Sequence, residues 1–79
     1  MILPKGAEIL SVGQQGRYDT ISIWYSFEQD TVDVEVIDTI IVGTGGKIQE
    51  GYKFIGTVIN NSDGFVWHVF VMDSFTRLS

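Results

Sequence analysis

The sequence predicts an all-β protein: a small antiparallel meander of five or so strands, closed into a compact sandwich or open barrel and assembled as an oligomer. Several segments alternate apolar and polar residues with a period of two, and no segment holds an apolar period of 3.6 residues for long. Clusters of Gly, Asn and Asp fall between the alternating runs, where strand-to-strand turns need them.

The first predicted strand is short, residues 8–12, and Gly13-Gln14-Gln15-Gly16 breaks it. The next covers residues 18–27, with Ile21, Ile23, Tyr25 and Phe27 on one face and Ser22, Trp24 and Ser26 on the other, so the two form a hairpin. After the polar turn Glu28-Gln29-Asp30, Val32, Val34 and Val36 alternate with Asp33 and Glu35, as in a half-exposed antiparallel strand. Residues 37–42 are β-branched almost throughout, and either continue that strand or restart it after a bulge near Asp38. Gly43-Thr44-Gly45-Gly46 ends the run. Residues 52–59 and 65–72 flank Asn60-Asn61-Ser62-Asp63-Gly64, rich in residues that tolerate positive φ, which makes the clearest hairpin of the chain. Residues 73–79 are polar enough to fray as a tail. No repeat or linker divides residues 1–79, so they read as a single β domain.

A chain of 79 residues buries only about 60% of the surface its unfolded form exposes. The absence of cysteine excludes a disulfide framework and a thiolate metal site, which leaves oligomerisation as the expected means of stabilisation. Hydrophobic content of 44% and aromatic content of 13% exclude a disordered chain and leave apolar surface for an interface. Met1-Ile2-Leu3-Pro4-Lys5-Gly6 carries no secretory pattern, and no apolar run approaches the roughly 18 residues of a membrane span. A soluble cytoplasmic protein is expected. The net charge of −5, with Lys5, Arg17, Lys47, Lys53 and Arg77 scattered, argues against duplex nucleic acid as a partner.

Three features can carry chemistry. Gly43-Thr44-Gly45-Gly46 is either a plain bend or a nest of inward N–H groups that holds a phosphate, with the Thr44 hydroxyl and Lys47 assisting. It lacks the spacing and following helix of a nucleotide-binding loop. His68, the only histidine, sits mid-strand among apolar neighbours, either as a structural residue or as a ligand contact. Trp24, a large ring between Ser22 and Ser26, is either an interface anchor or a stacking platform. Trp67 shares a strand face with Val69 and Val71 and belongs to the core. The carboxylates fall mainly in turns or on solvated faces. No nucleophile, paired acid and base, or metal-ligand cluster can be assembled, so neither an enzyme nor a bound metal or cofactor is expected.

The segments LPKGAEILSV, ISIW, IVGTGGKI, YKFIGTV and VWHVF occur here in that order. Together they resemble the pattern of a family of small bacteriophage proteins that carry a domain of unknown function, over nearly the whole chain from Leu3 to Phe70. Such proteins often have His where Gly46 stands here, so a role for that side chain does not carry over. The pattern is also similar to the small β-rich sponge proteins with which phages sequester cyclic nucleotide immune signals, including the anti-CBASS kind that bind cyclic dinucleotides as tetramers. The resemblance implies a phage protein in the host cytoplasm that binds a cyclic nucleotide without cleaving it, as a homo-oligomeric dimer or tetramer. It makes Trp24, Tyr25, Tyr52 and Phe54 candidate stacking surfaces. Gly43, Thr44, Gly45, Gly46, Lys5 and Lys47 become candidate phosphate contacts, and Thr57 and His68 candidate readers of base edges. The alternative is a phage protein that binds and inhibits a host protein through an aromatic patch centred on Trp24. A virion or assembly protein ranks third.

Overall fold

The computed structural model describes residues 1–15, 20–60 and 63–78. The described residues contain seven strands and no helix: β1 (Ile2–Pro4), β2 (Glu8–Gln14), β3 (Ile21–Ser26), β4 (Val34–Val36), β5 (Thr39–Gly43), β6 (Tyr52–Ile59) and β7 (Val66–Met72). The predicted all-β class holds, and the strand pairs are antiparallel. They form three sheets, β1–β4, β2–β3 and the three-stranded β5–β7–β6. Both predicted hairpins, β2–β3 and β6–β7, are present. The first predicted strand extends through Gly13 to Gln14 rather than stopping at Val12, and the predicted start of its partner at Tyr18 lies outside the described residues. The β-branched run after Val36 restarts as β5 in a different sheet. Ile37, fully buried at that junction, donates its N–H to the Met1 carbonyl at 2.7 Å and accepts from the Met1 ammonium at 3.0 Å.

The β1–β4 ribbon shows the largest departure from expectation. Its register pairs Ile2 with Val36, Leu3 with Glu35 and Pro4 with Val34, so Ile2, Pro4, Val34 and Val36 share one face. The alternation read from the sequence is present, but its polarity is reversed. Leu3 enters the core, while Ile2, Val34 and Val36 stand 65–71% exposed. Glu35 turns inward, where it accepts the Gly6 N–H at 3.1 Å and pairs with the Arg77 guanidinium. Glu35 is thus not one of the solvated carboxylates.

Arg77 comes from the segment expected to fray. Its Nε donates to the Ala7 carbonyl at 2.9 Å, its guanidinium carbon sits 4.7 Å from the centre of the Phe75 ring, and Leu78 bridges to Ile9. Phe75 is buried with Leu3, Ala7, Ile9, Ile37 and Val71 in the main core cluster. Residues 73–78 are therefore docked, because one buried ring and one well-placed guanidinium outweigh their polar neighbours.

A bulge organises the three-stranded sheet. Phe54 pairs with Phe70, but the next regular partner of β7, Val69, faces Gly56, so Ile55 is an extra residue in β6. Ile55 packs against the core cluster. At Gly56, β2 crosses β6 so closely that an added Cβ would lie 2.1 Å from Val12 Cγ2. Beyond the bulge the phase of β6 is shifted by one residue.

Candidate functional site

The phase shift builds the site. Phe54 and Thr57 are three residues apart, a spacing that puts side chains on opposite faces of a regular strand. The bulge returns both to one face, where Thr57 pairs across from His68 and Phe54 from Phe70. On the other side of β7, Val42 of β5 is the register partner of His68. Val42, His68 and Thr57 therefore stand abreast on the face that carries Phe54 and Phe70.

The glycine stretch after β5 folds back over this row. The Gly46 N–H donates to the Gly43 carbonyl at 3.0 Å and Gly45 has φ +88°, the geometry of a turn with glycine in its third position. A side chain at Gly45 would be strained by that φ, and a Cβ at Gly46 would come 2.5 Å from Val42 Cγ1. The turn brings the Thr44 hydroxyl 3.5 Å from His68 Nε2, while the Thr57 hydroxyl lies 3.0 Å from Nδ1. A neutral imidazole has one donor and one acceptor nitrogen, and a hydroxyl can meet either, so both ring nitrogens are satisfied in either tautomer. Phe54 lies 6.3 Å from the His68 ring and 5.7 Å from the Phe70 ring, tilted to both. Val42, Ile48, Phe54, His68 and Phe70 line a concavity of about 370 Å³, with part-buried Gly43 and exposed Gly45 and Gly46 at its rim. That volume falls at the lower end of small-molecule sites.

The predicted site residues divide among separate places. Gly43, Thr44, Gly45, Gly46, Phe54, Thr57 and His68 come together around this niche. Lys47 is exposed in the chain just after the rim. The Gly46 N–H already bonds within the turn, so it is not an inward donor of the expected nest. Tyr52 donates its phenol to Asp38 Oδ2 at 2.6 Å, and this bond, with burial and the Asp38 charge adding, raises its pKa above the usual 10.0. Lys5 is exposed in the connection between β1 and β2, where its N–H bonds to the Asp33 carbonyl at 2.9 Å. Trp24 of β3 covers Gly13, where an added Cβ would meet its ring at 3.1 Å. Tyr25 pairs with Phe27, ring centres 5.9 Å apart, and borders a different concavity. Val42 and Phe70 were missed as lining residues, although Phe70 alternates with His68 on β7 and so shares its face, while Val42 is its register partner on β5. Ile48 lies in a connection with no periodic signal.

The chemistry available to the niche is hydrogen bonding and stacking. The partners found for the His68 nitrogens are the Thr44 and Thr57 hydroxyls. Among the described residues no group of three or more His, Cys, Asp or Glu is placed to hold a metal ion, and no helix is long and apolar enough to cross a membrane.

A family model described as a domain of unknown function, DUF7352, matches residues 1–77. No curated protein and no solved structure matches the chain.

Proposed function

We propose, starting from the fact that the chain belongs to the DUF7352 family and that membership assigns no activity, that the protein binds a small cyclic nucleotide and sequesters it intact. The observation that carries this reading is His68, held between Thr44 and Thr57 and lining a concavity beside Phe54 and Phe70. The Phe54 and His68 rings offer stacking surface for a base, which is worth about 1–3 kcal/mol per base at such platforms. The two hydroxyls and the imidazole offer donors and acceptors for a base edge, and the glycine rim lets a ligand approach the backbone closely. Lys47 adds one charge near the rim for a phosphate. A cyclic dinucleotide carries two bases, so two copies of the niche, brought together in a dimer or tetramer, would serve one ligand. The sequence resemblance supports a phage sponge acting in the cytoplasm of an infected bacterium against a signal of antiviral defence.

The test is to incubate the purified protein with cyclic dinucleotides, cyclic trinucleotides and cyclic ADP-ribose isomers, remove free ligand, heat, and chromatograph what is released. Intact ligand is the expected product, and a hydrolysed one would make the protein an enzyme. A ligand present at 100 times its dissociation constant stabilises by about 2.7 kcal/mol, so the melting temperature should rise by roughly 10 °C or more. A panel in which no compound shifts the melting curve would sink the proposal.

One observation favours a second reading. Trp24 of β3 is 42% exposed, and tryptophan is among the residue types that dominate protein–protein hot spots. Inhibition of a host protein through an aromatic patch centred on Trp24 is the alternative, and Trp24→Ala should then abolish the capture of one defined host protein while leaving ligand-induced stabilisation untouched.

A further inference from the structure

We infer that the outward face of the β1–β4 ribbon, formed by Ile2, Pro4, Val34 and Val36, is the surface on which a second copy of this chain docks. The inference stands without the nucleotide reading.

The chain exposes more surface than a monomer of its size should. A monomeric protein of this mass is expected to expose about 4,800 Å², whereas the chain exposes 5551 Å². The surplus, roughly 800 Å², matches what one partner contributes to a standard interface. The shape agrees: the radius of gyration is 13.3 Å, against about 11.6 Å for a compact domain of this length, and the extents of 39 × 32 × 18 Å describe a slab. Among the described residues nine apolar side chains are buried while fourteen large ones stand exposed. A second slab laid on the first would remove that imbalance.

Charge selects the face. Each chain carries −5, and a two-fold contact sets a patch against itself, so any carboxylate within it would meet its like. The ribbon avoids this because its one carboxylate within the strands, Glu35, is turned inward and neutralised by Arg77. Native proteins blunt the edges of short sheets with outward charges. Here the outward positions are instead Val34 and Val36, 65% and 71% exposed, beside Ile2 at 67%. The apolar surface also continues beyond the ribbon, since Ile2 borders the concavity that Ile23, Tyr25 and Ile41 line. The occupant that fits an apolar, uncharged, self-compatible face on an acidic chain is another copy of that face.

Sedimentation equilibrium and light scattering of the full chain, from about 1 to 100 µM, test this. The expected species at the upper end has twice 8.8 kDa, or an even multiple of it. Val36→Glu, which would place two carboxylates in a two-fold contact, should weaken association at least tenfold with an unchanged circular dichroism spectrum. Trp24→Ser, away from the ribbon, should leave association as it is. If Val36→Glu fails to fold, the near-isosteric Val34→Thr must still weaken association measurably. A mass of 8.8 kDa at every concentration overturns the inference, and so does ribbon-variant association as tight as that of the unaltered chain.

Discussion

At the scale of single residues, Gly56 and Thr57 carry separate burdens. Gly56→Ala places a methyl 2.1 Å from Val12 Cγ2 and should lower stability by about 1–3 kcal/mol, read as a fall in the denaturant midpoint. Val12→Ala in the same chain should recover part of that loss, which distinguishes overpacking from a backbone effect. Thr57→Val keeps the shape but removes the hydroxyl at Nδ1 of His68. If the niche holds a ligand, affinity should fall about tenfold, the usual scale for one such bond, while the melting temperature of the free protein changes little. Tyr52 makes a third case. Its phenol is the donor to Asp38, and its folded pKa is raised above 10.0, so the bond stabilises while the phenol is protonated and is lost as pH rises through that elevated value. An ultraviolet titration of Tyr52→Phe, subtracted from that of the parent, should show a midpoint above 10.0. The bend at Gly43–Gly46 could be read from composition, since glycine takes φ near +88° without the strain a side chain brings. That Phe54 and Thr57 face the same way could not, because the reading assumed unbroken two-residue alternation and an inserted Ile55 leaves no mark in composition.

Among the elements, β4 shows how a correct periodicity can conceal the wrong orientation. Alternating Val and Glu specify two faces, but which face turns inward depends on what lies beneath, and the partner here is Arg77, 42 residues further along. Arg77→Ala should cost about 1–3 kcal/mol, since it removes the ion pair, the bond to the Ala7 carbonyl and the packing on Phe75 while leaving Glu35 part-buried. Replacing Glu35 and Arg77 together with Met should cost less than Arg77→Ala alone, because no unpaired charge remains. Denaturant midpoints of the three chains decide the order. β1 escaped detection for a related reason: three residues are too few to alternate, and its strand character comes from β4 rather than from its own sequence.

For the whole molecule, the all-β class was legible because several segments alternate, none holds a helical period for long, and turn residues punctuate the chain. The division into three sheets was not: a restart near Asp38 was one of two readings of the run, but nothing in it signals that the new strand joins a different sheet. The acidic balance gives a prediction at this scale. Two chains of −5 repel, and salt shortens the reach of that repulsion from about 30 Å at 0.01 M to about 8 Å at 0.15 M. Self-association through an uncharged face should therefore tighten as salt is added, and the dimer fraction at fixed protein concentration is the readout. Weakening by salt would instead indicate an interface built on ion pairs. The seam between Ala7 and Arg77 has a consequence during synthesis. Those residues are 70 positions apart, which at ordinary translation speeds means roughly 4–14 s between their appearances. Until Arg77 arrives, Glu35 lacks its counter-ion and Phe75 has not sealed the interior. From the synthesis of Val36 to that of Arg77, about 2–8 s at the same speeds, the valine ribbon of a nascent chain is unanchored, a natural substrate for a chaperone.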